Sequence, residues 1–313
     1  MQLIRGIHAA PACAGGCVVT IGTYDGVHLG HQALIGRLTA QAARLALPAV
    51  LLTFEPMPRE YFAPHDPPAR LTTLRERLAI LATLGLDYTW LLRFDERLRN
   101  LSAEAFAEFL ARDLRARLIV VGHDFRFGKH GAASAPMLAA AGGRLGFEVE
   151  VLPPVMQDGE RISSSAVRAA LACADFERAQ RLLGRPYSMR ARVARGERLG
   201  RELGFPTANL PLGRRRAPLA GIFAVRVHGA GAGALPGVAS LGTRPTIGGT
   251  EALLEAHVFD FSADLYGREI EVEFAAKLRD EERFATLAAL TAQMHRDASE
   301  ARRILGACAT LGT

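Results

Sequence analysis

The chain has 313 residues, about twice the usual single-domain length, so two domains are expected. Apolar types make up 49% and charged types 22%, an ordinary globular balance that excludes a disordered tail, a coiled coil and a collagen-like fibre. The net charge of +6 comes from 36 Arg and only two Lys, Lys129 and Lys277, so a P-loop or Schiff-base lysine has two candidates and neither stands in a fitting motif. The first dozen residues hold one Arg and no apolar block of signal-peptide length, and no run approaches the roughly 20 apolar residues of a membrane span. Those features argue for a soluble, cytoplasmic chain with no membrane partner. Four scattered cysteines (Cys13, Cys17, Cys173 and Cys308) form no CxxC pair and fit neither a disulfide scaffold nor a zinc site.

In chain order, apolar strand-like runs alternate with amphipathic Ala/Leu/Arg segments as far as Pro186. Strands are predicted at 17–22, 49–54, 88–94, 118–122 and 148–152, and helices at 32–45, 74–84 and 103–115, the last after Ser102 as N-cap. Continuous apolar strands alternating with helices imply a parallel sheet covered on both faces, with ligands beyond the carboxyl ends of its strands. After Pro186 the texture changes to short alternating strands and Gly-rich turns, which predicts a small antiparallel barrel with strands at 222–228, 253–261 and 269–274. The patch Gly229 to Ala234 reads as a hairpin connection. A terminal helix follows, with Phe284, Leu287, Leu290, Met294, Ala298 and Leu305 at helical spacing.

Three segments carry chemistry. The first strand runs into Gly22-Thr-Tyr-Asp25-Gly26-Val-His28-Leu-Gly30-His31 before a helix. Its glycines allow close backbone approach, the helix start supplies N–H groups, and the HxGH histidines can donate to charge on a phosphoryl oxygen. The spacing alone reaches a phosphate-handling loop. In the second segment, Arg161-Ile-Ser163-Ser164-Ser165-Ala-Val-Arg168, hydroxyls stand at a helix start with an Arg able to bind phosphate bidentately. Together with HxGH it reads as a second clamp on one polyphosphate. In the third, Gly200-Arg-Glu-Leu-Gly-Phe-Pro-Thr207-Ala-Asn209 offers short oxygen ligands suited to Mg²⁺ on nucleotide phosphates, and Glu255 lies in a strand where a carboxylate can deprotonate a hydroxyl.

These segments, with TFEPMPREYF, VGHDFRFG, LLGRPY, GVASLGTRPTIGG, LEAHVFDF and DLYGREIEV in this order and spacing, resemble the bacterial bifunctional riboflavin kinase/FAD synthetases over nearly the whole chain. The resemblance implies an α/β, Rossmann-like N-terminal FMN adenylyltransferase domain of the HxGH type at 1–186. It also implies a C-terminal antiparallel β-barrel riboflavin kinase domain with a terminal helix at 187–313. It implies that Gly22, Asp25, Gly26, His28, Gly30, His31, Ser163, Ser164, Ser165 and Arg168 handle the ATP that adenylates FMN to FAD. Phe62, Asp124, Phe127 and Arg279 would lie on the flavin side. In the kinase half, Gly200, Thr207 and Asn209 would bind ATP and Mg²⁺, and Glu255 would act as base on riboflavin. The implied partners are small molecules and not nucleic acid, in keeping with Arg residues spread along nearly the whole chain.

The pattern departs from the family at Thr23 and Tyr24, at Gly131 and Ala133 (usually Arg and Gly), and at Ala174 and Ala191 (usually Gly). The departures at Gly131 and Ala133 leave open a riboflavin kinase whose N-terminal half takes a different acceptor. Ala174 and Ala191 raise the question of backbone strain, since Ala tolerates a positive φ poorly.

Overall fold

The computed structural model describes residues 1–6, 13–195, 204–213, 216–246 and 249–309. The chain divides into two compact units. One comprises Met1–Pro68 and Arg77–Ser163, the other Ala69–Glu76 and Ser164–Thr313.

The first unit carries β1 (Gln2–Arg5), β2 (Cys17–Ile21), α1 (Leu29–Leu45), β3 (Ala49–Glu55) and α2 (Pro58–Phe62). Then come α3 (Leu74–Leu81), which starts in the segment assigned to the other unit, β4 (Tyr88–Arg93), α4 (Glu96–Arg99), α5 (Ala103–Arg112) and β5 (Ala116–Gly122). It finishes with β6 (Arg126–Phe127), β7 (Ala133–Ser134), α6 (Ala135–Leu145), β8 (Glu148–Leu152), β9 (Met156–Gln157) and β10 (Glu160–Arg161). Six strands form one sheet in the order β1-β4-β3-β2-β5-β8, every pair parallel.

Strand alternation splits the apolar residues between two faces. Val18, Leu51, Leu118 and Val120 meet Ile35 and Leu38 of α1 on one side. Val19, Val50, Leu52 and Ile119 meet Phe106 and Leu110 of α5 and Leu138 of α6 on the other. This is the predicted doubly covered parallel sheet. Because β2 lies between β3 and β5, the chain reverses its winding direction at the carboxyl end of β2, where such sheets open a ligand crevice. Ser102 caps α5 as expected, accepting from Ala105 N at 3.1 Å. The short edge strand β1 was not among the predicted strands.

The second unit continues with α7 (Ser164–Ala172), α8 (Phe176–Leu183), β11 (Ser188–Arg192), β12 (Ala208–Pro211), β13 (Gly221–Gly231), β14 (Gly233–Thr246), β15 (Gly249–Val258), β16 (Glu269–Arg279) and α9 (Leu287–Ala309). The six strands run β11-β16-β13-β14-β15-β12, all antiparallel, and a bridge from Ala194 N to Asn209 O at 2.8 Å brings the two ends together as a nearly closed barrel.

Phe223, Val225, Val227, Leu241, Leu254 and Val272 are fully buried, while Ala224, out of phase with the β13 set, packs with Ala301 and Leu305 of α9. The hairpin at Gly231 and Gly233 falls where it was read. Phe284, counted as part of the terminal helix, precedes it; its ring lies under the Arg279 guanidinium at 5.6 Å. Segment 69–76 is tied into this unit by Tyr187 Oη to Leu71 O at 3.1 Å and Arg190 N to a Glu76 carboxylate oxygen at 2.7 Å.

Candidate functional site

In the first unit the turn after β2 is held by its own histidines. His28 is the N-cap of α1, and its Nδ1 accepts from His31 N at 3.3 Å. A ring nitrogen that accepts carries no proton in the neutral imidazole, which assigns the proton to Nε2. The His28 and His31 rings stack at 3.6 Å and 17°, and a Cβ on Gly30 would lie 3.1 Å from His28 Nδ1, so glycine there admits the ring. The cap thereby fixes the orientation of the His28 imidazole.

Burial, reinforced by His28 and the Arg77 guanidinium, holds the His31 pKa well below its ordinary value, so His31 is a neutral imidazole. Its buried Nδ1 has no hydrogen-bond partner among the described residues. Gly26 has φ +82 and Asp25 is buried. Tyr24, at φ 53 and fully buried, bonds Thr20 Oγ1 at 2.6 Å, and its ring lies 3.1 Å from where a Cβ on Gly22 would be.

The sequence reading missed the residue beneath this turn. Arg77 is 1% exposed and donates to Thr23 O at 2.7 Å, Phe54 O at 3.3 Å and Glu55 Oε2 at 3.0 Å. Its guanidinium ties the turn after β2 to the end of β3. The signal was present: Leu74, Arg77, Leu78 and Leu81 share one helix face, and a lone Arg on an apolar stripe marks a buried charge.

Among the flavin-side candidates, Phe62 is 54% exposed and meets Tyr61 and Phe94 edge-on at 5.6 and 5.7 Å, with Arg99 5.8 Å over its ring. Asp124 pairs with Arg161 at 2.5 Å, joining two of the sequence motifs; burial pushes its carboxyl up, but the Arg161 guanidinium prevails and holds it below the usual range. Phe127 is a core ring, packed with Phe106 and stacked on Phe125. Gly131 takes φ +63 at the end of the short helical turn 129–131, and Ala133 is fully buried opposite Phe127 in the two-stranded β6–β7 ladder. Ser163 closes the first unit, whereas Ser164, which opens α7, Ser165 and Arg168 belong to the second. Arg168 Nε donates to Ala69 O at 2.6 Å within that unit.

In the second unit, β12 and β15 pair with Asn209 directly opposite Glu255, and β14 places Ser240 on the other side of Glu255. Ala208, Leu210, Leu254 and Ala256 point into the core, so Asn209 and Glu255, both half-buried, stand together on the opposite face. Thr207, also half-buried, immediately precedes β12. Gly200 lies outside the described residues. Arg279, at the end of β16, is engaged by Asp297 of α9 at 2.8 Å and donates to Asp280 O at 2.9 Å. Ala174 does take φ +55, the strain its position suggested, whereas Ala191 lies in regular β11 opposite Ile270.

A phosphate-type turn at the winding reversal of a parallel sheet, and a barrel face that sets a carboxylate beside an amide, describe a transferase with two reaction centres. The model of the FAD synthetase family matches residues 10–166 and that of riboflavin kinase matches 183–305. The bifunctional riboflavin kinase/FMN adenylyltransferase of Escherichia coli K12 is 46% identical over 98% of both chains. That of Pseudomonas fluorescens is 46% identical over 97% of this chain and 98% of its own, and that of Haemophilus influenzae 43% over 96% and 98%. A solved structure named as a macrolide-efflux protein of Streptococcus pneumoniae is 30% identical, covers 95% of this chain and 97% of its own, and superposes with a TM-score of 0.77. Among the described residues, no helix is long and apolar enough to cross a membrane. The chain belongs to the bifunctional riboflavin kinase/FMN adenylyltransferase family.

Proposed function

We propose that this enzyme, a riboflavin kinase and FMN adenylyltransferase, uses His28 and His31 for the second activity and Glu255, Thr207 and Asn209 for the first. In adenylylation the FMN phosphate oxygen bonds to the α-phosphorus of ATP as the bond to pyrophosphate breaks. The stacked histidines offer N–H donors to the charge that builds on the phosphoryl oxygens, at a helix N-terminus whose dipole has the same effect. Neutrality of His31 suits a donor that does not exchange its proton during the reaction. Gly22, Asp25, Gly26 and Gly30 shape the turn, and Ser163, Ser164, Ser165 and Arg168 are assigned to the nucleotide phosphates. Phe62, with an exposed aromatic face, is the flavin-side residue best placed to stack on a planar ring.

In the kinase half, Glu255 accepts the proton of the riboflavin 5′-hydroxyl as that oxygen bonds to the γ-phosphorus of ATP and the bond from that phosphorus to the departing ADP breaks. A hydroxyl and an amide oxygen at Thr207 and Asn209 are hard neutral donors that fit Mg²⁺ carried on ATP phosphates, whose role is to offset phosphate charge. The enzyme is assigned to the cytoplasm, with riboflavin, FMN and ATP as its small-molecule partners. The observation that carries the assignment is that each half supports its own convergent set, the stacked imidazoles in one and the Asn209–Glu255 register in the other.

A chromatographic assay with riboflavin, ATP and Mg²⁺ tests it, following FMN and then FAD. Glu255→Gln is expected to lower FMN formation by about 10³-fold and leave adenylylation of supplied FMN intact. Loss of both activities in a folded Glu255→Gln protein would refute the two-site assignment.

A further inference from the structure

Phe205, Pro206 and Thr207 lead into β12, and the fold grips them from β15. The Phe205 side chain is 6% exposed, with its ring edge-on to His257 at 5.1 Å and to His295 of α9 at 4.8 Å. The carbonyl of Pro206 lies 2.8 Å from His257 Nδ1. A carbonyl only accepts, so Nδ1 is the protonated nitrogen of this ring and donates. His257 stands two residues beyond Glu255 on β15 and therefore on the same face of the strand. One strand thus presents the proposed base and, beside it, the group that holds the backbone one residue before Thr207.

We propose that His257 is a positioning residue of the kinase reaction, fixing the Pro206–Thr207 backbone so that the nucleotide-side oxygens keep their place relative to Glu255. The inference rests on the kinase-site reading above. It assigns His257 no proton transfer with substrate; its contribution is the single Nδ1–H donor, separate from the packing of its ring on Phe205. Those two contributions can be parted by substitution. Phenylalanine at 257 keeps an aromatic ring against Phe205 and removes the donor, whereas asparagine gives up the ring and keeps an N–H close to the position of Nδ1.

The test measures kinase kinetics of His257→Phe and His257→Asn in the full-length enzyme, with Mg²⁺·ATP and riboflavin varied separately and the calorimetric unfolding of the second unit as the control for folding. His257→Phe is expected to raise the KM for Mg²⁺·ATP about tenfold, the worth of one lost hydrogen bond, while the KM for riboflavin moves less than about twofold. His257→Asn is expected to stay within about threefold of the wild type on both substrates. An unchanged KM for Mg²⁺·ATP in His257→Phe overturns the proposal. So does an equal loss in both variants, because ring packing alone would explain it. If His257→Phe loses that unfolding transition and so fails as a folded protein, His257→Asn decides by itself: near-wild-type kinetics support the donor, and a raised KM for Mg²⁺·ATP overturns it. Glu255→Gln run alongside separates the two levels of argument. A fully active Glu255→Gln removes the kinase-site reading, whereas an inactive one beside a normal His257→Phe removes only the role of His257.

Discussion

Replacing Arg77 with methionine removes every donor of a buried guanidinium while filling much of its volume. Two backbone carbonyls, Thr23 O and Phe54 O, and the Glu55 carboxylate lose this partner. Hydrogen bonds from a charged donor contribute roughly 1.5 kcal/mol each, and the pair with Glu55, whose side chain is 27% exposed, adds less than about 1 kcal/mol after solvent screening. The expected loss is therefore about 3–4 kcal/mol, within the range for breaking a buried pair by removing one partner. Trp90 is the chain's single tryptophan, fully buried in the first unit and bonded through Nε1 to Gly6 O, so its fluorescence reports that unit alone. With a urea dependence of about 2 kcal/mol/M, the Trp90 transition should move down by about 1.5–2 M. FMN adenylylation should fall with it and riboflavin phosphorylation should persist. Arg77→Lys, which keeps a charge and part of the donor set, should recover some of the loss. A shift below about 0.5 M with normal adenylylation would refute the view that this guanidinium ties the turn after β2 to β3.

Two further substitutions test local features. Ala174 sits at φ +55, a conformation that costs an L-residue roughly 1–2 kcal/mol, while glycine gives back about 0.5–1 kcal/mol in unfolded-state entropy. Ala174→Gly should therefore stabilise the second unit by about 0.5–1 kcal/mol, and an unchanged or lowered calorimetric midpoint would contradict the strain assignment. For His31, burial, His28 and Arg77 depress the folded-state pKa, so below its ordinary value of 6.5 the unfolded chain takes up a proton that the folded chain refuses. The contribution is complete above pH 6.5 and is lost as pH falls, by up to about 1.4 kcal/mol per pH unit for one proton. Urea titrations of His31→Asn should show a shallower loss below that pH, and an unaltered slope would mean that His31 titrates normally.

Much of this architecture was legible because burial writes itself into composition. Four of the parallel strands, β2 to β5, were visible as continuous apolar runs, since a strand covered on both faces needs no polar alternation, whereas the edge strand β8 alternates Glu with Val. Glu269 to Phe274 alternated because only one face of β16 enters the core. The HxGH turn was readable because its glycines and histidines are adjacent in sequence. What stayed hidden depends on register and distance. Asn209 and Glu255 are 46 residues apart, and only the β12–β15 pairing makes them neighbours. The attachment of 69–76 to the second unit runs through bonds such as those accepted by Ala69 O, Leu71 O and the Glu76 carboxylate from Arg168, Tyr187 and Arg190, which leave no periodic trace. β1 is a four-residue edge strand with two half-buried positions, too short for a pattern. Arg279, a flavin-side candidate on the resemblance alone, is held by Asp297 of α9, a pairing across 18 residues that the sequence did not show.

The barrel seam divides the work of Asn209 between its two chemical halves. The main-chain carbonyl closes the ring through Ala194, a bond that any residue at this position could supply. The side chain stands beside Glu255 and takes no part in that closure. On the proposed assignment, architecture is encoded in the peptide and chemistry in the amide, so the two can vary independently. An alanine at 209 would leave an intact barrel with an impaired reaction centre, an allele that is silent to every probe of folding and audible only in turnover.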